Sequence, residues 1–138
     1  MTETDNNKEN INELVATYNF LENQLKALLE QKNRYSIILE DLKATKESID
    51  NIEIEKENYI NIGSIVGVPI KIENDKFLVN IGSGVMIELT KGKAAKFVEE
   101  RMEFVKKEMI KIDEIINVYQ NKLNDIAIKV QELSSKTK

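Results

Sequence analysis

The amino-acid sequence predicts a predominantly α-helical α+β protein, in which two long helices pair as an antiparallel coiled coil and a compact β region joins them. Two observations carry this prediction. Apolar residues recur at an average spacing of about 3.5 residues in both halves of the chain, and all five glycines and the only proline lie between residues 63 and 92. The length of 138 residues suits a single domain. Its predicted parts are a polar start, a first helix, a β region and a second helix, at residues 1–9, 10–52, 53–92 and 93–135.

The first helix is predicted from an apolar pattern that begins at Ile11 and steps alternately three and four residues. Ten of its twelve positions are apolar, and only Lys32 and Lys46 interrupt it. A polar residue at such a position lowers stability and fixes the register or the partner, which is the role we expect for both lysines. Residues 1–9 precede the pattern, and we expect them to be disordered. The first seam comprises Ile11, Leu14, Tyr18, Leu21, Leu25, Leu28, Lys32, Tyr35, Leu39, Leu42, Lys46 and Ile49.

The second helix shows the same pattern without interruption, since all twelve positions are apolar. A spacing of 3.5 residues over several heptads indicates left-handed supercoiling, and neither patterned segment contains Gly or Pro. An amphipathic helix on an ordinary globular core would show a wider and less regular stripe. The second seam comprises Ala95, Val98, Met102, Val105, Met109, Ile112, Ile116, Tyr119, Leu123, Ile126, Val130 and Leu133.

The middle of the chain alternates apolar and polar residues, which is typical of strands. Four strands are predicted, at about 59–62, 66–72, 76–81 and 85–89. The polar stretch Glu73–Lys76 reads as a tight turn that joins the second and third strands into a hairpin. The first strand would pair with the second and the third with the fourth, or all four would form a meander. The first and third predicted strands each end in the sequence "NIGS". The two copies are either a structural repeat or two similar Gly-Ser turns.

These short strands predict assembly with other chains. They leave unpaired edges, and their apolar face has no helix of the same chain left to cover it once the two helices pair with each other. Exposed edges and apolar faces favour contact with another chain. The predicted oligomerisation residues are Ile60, Ile62, Val68, Ile70, Ile72, Phe77, Val79, Ile81, Val85, Ile87 and Leu89.

Composition argues against several classes of function. The chain has no His and no Cys, so it lacks the commonest general base and all thiolate chemistry, and it has no phosphate-binding loop motif. We therefore expect no enzyme activity, cofactor or metal. A net charge of −4 disfavours nucleic acid as a partner. With no signal peptide or membrane span apparent, a cytoplasmic protein is expected.

The order of a long helix, two hairpins with Gly-Ser turns and a second long helix resembles the alpha class of the prefoldin family, ATP-independent holdase chaperones of archaea and eukaryotes. The most specific stretch is "YINIGSIVGVPIKIENDKFLVNIGSGVMIELTKGKAAKFVEER", from Tyr59 to Arg101. Two hairpins match the alpha class, since beta-class subunits carry one. The resemblance implies a hexamer of two alpha-class and four beta-class subunits, joined through intersubunit β-barrels from which the coiled coils project.

The resemblance also implies what the coiled coils do. Family members hold nonnative polypeptides on apolar side chains near the coiled-coil tips and pass these clients to a group II chaperonin. Val15, Phe20 and Ile128 fall outside the seams and should point outward, whereas the other candidates belong to the seams where helix ends fray. The predicted client-binding residues are Ile11, Leu14, Val15, Phe20, Ile126, Ile128, Val130 and Leu133.

Two other functions remain open at this point. The fold could form a prefoldin-like homo-oligomer or filament with its own assembly rule. Alternatively, the helices could form a coiled-coil arm that binds RNA or serves as a scaffold for another complex, although the acidic first helix disfavours RNA.

Overall fold

The computed structural model describes residues 2–136 and confirms the predominantly helical α+β class. The helices are α1 (Glu3–Asn51) and α2 (Lys91–Lys136), and the strands are β1 (Glu57–Ile62), β2 (Val66–Lys71), β3 (Phe77–Gly82) and β4 (Val85–Leu89). The chain divides into two compact units, which we call the helical unit (residues 1–37 with 107–138) and the hairpin unit (residues 38–106). Within residues 2–136, neither helix has an apolar stretch of the length that crossing a membrane requires.

Helix α1 begins earlier than the sequence predicted, at Glu3 instead of residue 10. Thr2 caps this end, since its Oγ1 accepts a hydrogen bond from the Asp5 backbone N–H at 3.3 Å. Glu3 and Asp5 also place negative charge at the positive end of the helix dipole. The polar segment expected to be disordered is therefore helical from Glu3 onward, because a cap and acidic residues favour a helix start without an apolar seam. Met1, also part of that segment, lies outside the described residues.

The two seams are the buried stripes of the helices. In the helical unit, every seam position from Ile11 to Tyr35 and from Met109 to Leu133 is buried or half-buried, and the same holds in the hairpin unit from Leu39 to Ile49 and from Ala95 to Val105. The heptad pattern therefore identified the packed face of each helix correctly. The most deeply buried seam residues are Val98, Val105, Ile112, Ile116 and Leu123, each at most 8% exposed.

The strands form two separate antiparallel hairpins, in which β1 pairs with β2 and β3 with β4. The predicted hairpin between the second and third strands is wrong, because the turn residues have other partners. The carbonyl of Ile72 accepts a hydrogen bond from the Glu55 N–H at 2.6 Å. The Asp75 carboxylate accepts one from the Lys91 N–H, also at 2.6 Å. The stretch Glu73–Lys76 therefore leads to the start of α2 instead of returning the chain into a sheet.

The hairpin unit has a small apolar core that the helices share with the second hairpin. Its buried members are Ile49 of α1 and Ala94 and Val98 of α2. Half-buried residues that pack against them are Leu42, Phe77, Val79, Leu89, Ala95 and Met102. The expectation that no helix of the same chain covers the sheet is thus wrong for part of the second hairpin. The reason is Ala94, which is 1% exposed and lies beside seam residue Ala95, so that the apolar stripe of α2 is wide enough to contact strands as well.

Hydrogen bonds fix both helix ends in the hairpin unit. Thr90 Oγ1 accepts from the Lys93 N–H at 3.3 Å and caps α2. The Lys91 ammonium donates to the Asp50 carbonyl at 3.2 Å and satisfies one of the last carbonyls of α1. The hairpins are therefore attached to helix ends whose positions are defined.

Candidate functional site

Both lysines that interrupt the first seam contact a carboxylate of the opposing helix. In the helical unit, Lys32 Nζ lies 2.7 Å from an Asp113 carboxylate oxygen. In the hairpin unit, Lys46 Nζ lies 2.9 Å from Asp50 and 3.4 Å from Glu99. Hydrogen bonds to Asp50 and then to Glu99 raise the pKa of Lys46 above its usual value of 10.5. Each pair favours the antiparallel alignment, which supports the predicted role of the lysines in register.

Two shallow grooves lie beside the seam in the part of the helical unit where α1 begins and α2 ends. One, of about 330 Å³, includes the charged side chains Glu13 and Lys129, together with Asn10, Leu14, Thr17 and Leu133. The other, of about 270 Å³, is lined by Val15, Tyr18, Ala127 and Val130. We call the second one the apolar groove, because none of its lining residues is charged.

The predicted client-binding residues lie around these grooves in two groups. Val15, Phe20 and Ile128 are 42%, 61% and 49% exposed and point away from the seam, as their positions predicted. The seam members of the set are half-buried, namely Ile11, Leu14, Ile126, Val130 and Leu133. Along α2 the seam changes from buried at Leu123 to half-buried at Ile126 and beyond. Apolar surface is therefore more accessible near the helix ends.

The structure brings only part of this set into one groove. Val15 and Val130 line the apolar groove, whereas Phe20 and Ile128 do not. The other two lining residues, Tyr18 and Ala127, are not among the predicted client-binding residues. The heptad pattern could have identified Ala127, because Ala127 directly follows seam residue Ile126 just as Val15 directly follows seam residue Leu14.

The strand register divides the predicted oligomerisation residues of the first hairpin between exposed and half-buried positions. Ile60 lies opposite Val68 on one face. Ile62, which is 62% exposed, lies opposite Val66, which is 51% exposed. Val66 is not among the predicted residues, although alternation places it on the same face as Val68 and Ile70. Val68, Ile70 and Ile72 are half-buried.

The second hairpin is apolar on both faces. Val85 and Ile87 are exposed on the predicted face, and Phe77, Val79 and Leu89 of that face pack on the helices. Ile81 is also exposed, at the irregularity of the register between Asn80 and Gly82. The opposite face exposes Leu78 and Met86, at 67% and 51%. The hairpin unit therefore exposes more apolar surface than the sequence predicted, including Tyr59 (73%) and Ile65 (93%) of the first hairpin.

The two "NIGS" stretches end strands, as predicted, but they form different turns. In the first hairpin, residues 63–65 form a three-residue loop between Ile62 and Val66. In the second, only Ser83 and Gly84 lie between the paired residues Gly82 and Val85, and their φ values of 52° and 78° suit a type I′ turn. The stretches are therefore two separate Gly-Ser turns and not one repeated structural unit.

Arg101 attaches the second hairpin to α2. Its guanidinium donates a hydrogen bond to the Ile81 carbonyl at 3.2 Å and lies 5.4 Å from the centroid of the Phe97 ring. Phe97 is half-buried at this point, which agrees with packing against the hairpin. Within residues 2–136, no cluster of acidic residues has the arrangement of a metal site.

Comparisons with known proteins agree with this geometry. Residues 21–136 match the family described as "Prefoldin subunit". Prefoldin subunit alpha of Archaeoglobus fulgidus is 26% identical over 113 residues, which cover 79% of this chain and 82% of that protein. Prefoldin subunit alpha of Pyrococcus horikoshii is 24% identical over 137 residues, covering 95% of this chain and 91% of that protein.

Solved structures show the same fold. A chain of the filamentous PFD from Methanocaldococcus jannaschii, determined by cryo-EM, aligns with a TM-score of 0.63 at 24% identity, over 86% of this chain and 98% of that chain. The prefoldin beta subunit from Thermococcus strain KS-1 aligns with a TM-score of 0.65 at 15% identity, over 89% of this chain and 90% of that chain.

Proposed function

Because the chain belongs to the prefoldin family, whose members are chaperone subunits, we propose that it is a holdase that captures nonnative polypeptides near the helix ends of the helical unit. The observation that carries this proposal is the apolar groove of Val15, Tyr18, Ala127 and Val130, with Ile128 exposed beside it. Nonnative chains expose apolar side chains that a folded protein buries, and such side chains fit a groove without charge.

Capture works through several weak contacts. A fully buried aliphatic side chain contributes about 1.5–3 kcal/mol, so one groove of this size holds a client weakly. Several tethered grooves in one assembly raise the effective concentration of each further contact. Weak single contacts also permit release without ATP, which suits transfer of the client to a group II chaperonin.

Assembly takes place through the hairpin unit. Exposed Ile62, Val66 and Val85 lie beside the hairpin turns, where strands of another chain can pair with free edges. A hexamer of two alpha-class and four beta-class subunits joined by β-barrels accounts for this surface. A homo-oligomer or filament is the second candidate, favoured by the similarity to a filamentous relative. The mass of the purified chain, measured with and without a beta-class partner, distinguishes the two.

Suppression of aggregation tests the holdase function. The assembly is mixed with an unfolding test protein, and light scattering is followed with the full chain or with a chain that lacks residues 1–20 and 124–138. We expect the trimmed chain to lose protection. A chain that lacks only residues 1–9 keeps all eight predicted client-binding residues and is the matched control. Unchanged protection by the fully trimmed chain would exclude these helix ends as the binding site.

A further inference from the structure

We infer that one side of the helix pair, a surface rich in Asn and Gln that we call the amide face, holds an extended segment of nonnative polypeptide. The inference rests on the proposed function and specifies the surface and the chemistry of its client. It is carried by the way charges are separated around the seam in the helical unit.

Charges near the end of α2 lie on one side only. With seam positions called a and d, positions e and b lie on one side of the helix, g and c on the other, and f on the outside. Between residues 120 and 136, the charged residues occupy only positions g and c. They are Lys122, Asp125, Lys129, Glu132 and Lys136. Positions e, b and f of this stretch hold only Gln, Asn, Ala, Ile and Ser.

Helix α1 continues the uncharged surface. Its positions b, e and f from Asn12 to Asn19 are likewise without charge, and Val15 and Ala16 lie between these two asparagines. Its c position in this stretch holds Glu13, which together with Lys129 lines the other groove, on the opposite side of the seam. Over residues 12–19 of α1 the amide face therefore includes both helices, with the apolar groove at its centre, and Glu22, at the next position e, bounds it on α1.

The amide groups of this face are available to a ligand. Asn12, Asn19, Asn124 and Gln131 are exposed, and among residues 2–136 their side chains make no hydrogen bond with another described residue. A side-chain amide has both donors and an acceptor, which match the N–H and C=O groups of a peptide backbone. Backbone groups are common to all clients, whereas client charges vary, so an uncharged face with amides does not select by charge.

The dimensions suit a short extended segment. Residues 120–135 of α2 span about 22 Å at 1.5 Å per residue. An extended chain covers this length with about seven residues at 3.3 Å each. Such a segment can place alternate side chains over the apolar groove and Ile128 while its backbone contacts the amides.

A binding experiment with matched variants tests the amide face. The full chain, in the assembly it forms, is titrated by fluorescence anisotropy with two labelled unfolded peptides of about 20 residues, three times the length of the face. The peptides share their apolar residues and carry either Glu or Lys at the remaining positions. We expect the wild-type chain to bind both peptides with affinities within about threefold.

Ile128→Lys places a charge on the amide face, and Val118→Lys makes the same change at position c, on the opposite side of α2, at a residue that is equally exposed (50% against 49%). We expect Ile128→Lys to weaken binding of both peptides about tenfold, and Val118→Lys to change it less than twofold. Helix content by circular dichroism should be unchanged in both, because both positions are exposed.

The possible failures are distinguishable. Absence of binding by the wild-type chain would overturn the proposed function itself. Equal weakening by both variants, or weakening by Val118→Lys alone, would overturn the amide face and leave the holdase function in place. A changed mass of the assembly in Ile128→Lys would identify the face as a contact between copies of the chain, which also contradicts the inference.

Discussion

Replacing Lys32 with Leu should stabilise the helix pair, although it removes an ion pair. The Lys32 side chain is 38% exposed, so a Leu at this seam position would be about three-fifths buried. Full burial of Leu contributes about 1.5–3 kcal/mol, so the partial burial contributes about 1–2 kcal/mol. The ion pair with Asp113 is 38% and 48% exposed, and pairs this exposed contribute about 0.2–1 kcal/mol. The net expectation is a gain of about 1 kcal/mol in the free energy of unfolding.

Urea unfolding followed by circular dichroism measures this gain. With a typical dependence of about 2 kcal/mol per molar urea, the midpoint should rise by about 0.5 M at fixed protomer concentration. Asn33→Leu adds the same side chain at an exposed neighbouring position and should change the free energy by less than about 0.5 kcal/mol. A loss of more than about 1 kcal/mol in Lys32→Leu would refute the reasoning, because the pair would then contribute more than its exposure allows.

Three further predictions concern the seam, a turn and a titrating pair. Ile116→Ala should lower the free energy of unfolding, measured in urea, by about 2–4 kcal/mol, because Ile116 is only 6% exposed. Ile110 is 58% exposed, so Ile110→Ala should lower it by less than about 0.5 kcal/mol. Gly84→Ala should lower the free energy of unfolding by about 1–2 kcal/mol, because φ is +78° there. Gly92→Ala, in the first turn of α2, should raise it by about 0.5–1 kcal/mol. Equal effects of the two variants on thermal unfolding would contradict the role of φ. The pKa of Lys46 is raised above 10.5 in the folded chain, so its ion pairs should stabilise the fold fully below about pH 10.5, and this stabilisation should be lost as the pH rises through the raised pKa. Lys46→Arg should remove this loss of stability at alkaline pH. A wild-type chain whose stability does not fall in that range would contradict the assignment.

The sequence was sufficient to predict the helices because burial in a coiled coil follows a simple period. All seam positions are buried or half-buried, including Lys32 and Lys46, whose long side chains can reach carboxylates of the opposing helix. The strands were predictable for the same reason, since each alternates with a period of two. In both the helices and the strands, a single period along the sequence determines which side chains are buried.

Features that depend on contacts between distant residues were not predictable in this way. The stretch Glu73–Lys76 has the composition of a hairpin turn, yet Asp75 bonds to the start of α2, sixteen residues away. The cover over Phe77 and Val79 depends on Ala94, a single small residue beside the seam. The apolar groove likewise needs the alignment of the two helices, because Val15 and Ala127 come from opposite ends of the chain.

The most direct measurement of the central claim is aggregation suppression by Ala127→Glu, which places a charge in the apolar groove, compared with Ala27→Glu, the same change at an exposed position of α1 in the same unit. The assembled chain is added to an unfolding test protein, and light scattering is recorded. We predict that Ala127→Glu loses most of the protection and that Ala27→Glu retains it. Full protection by Ala127→Glu would contradict client capture at the groove.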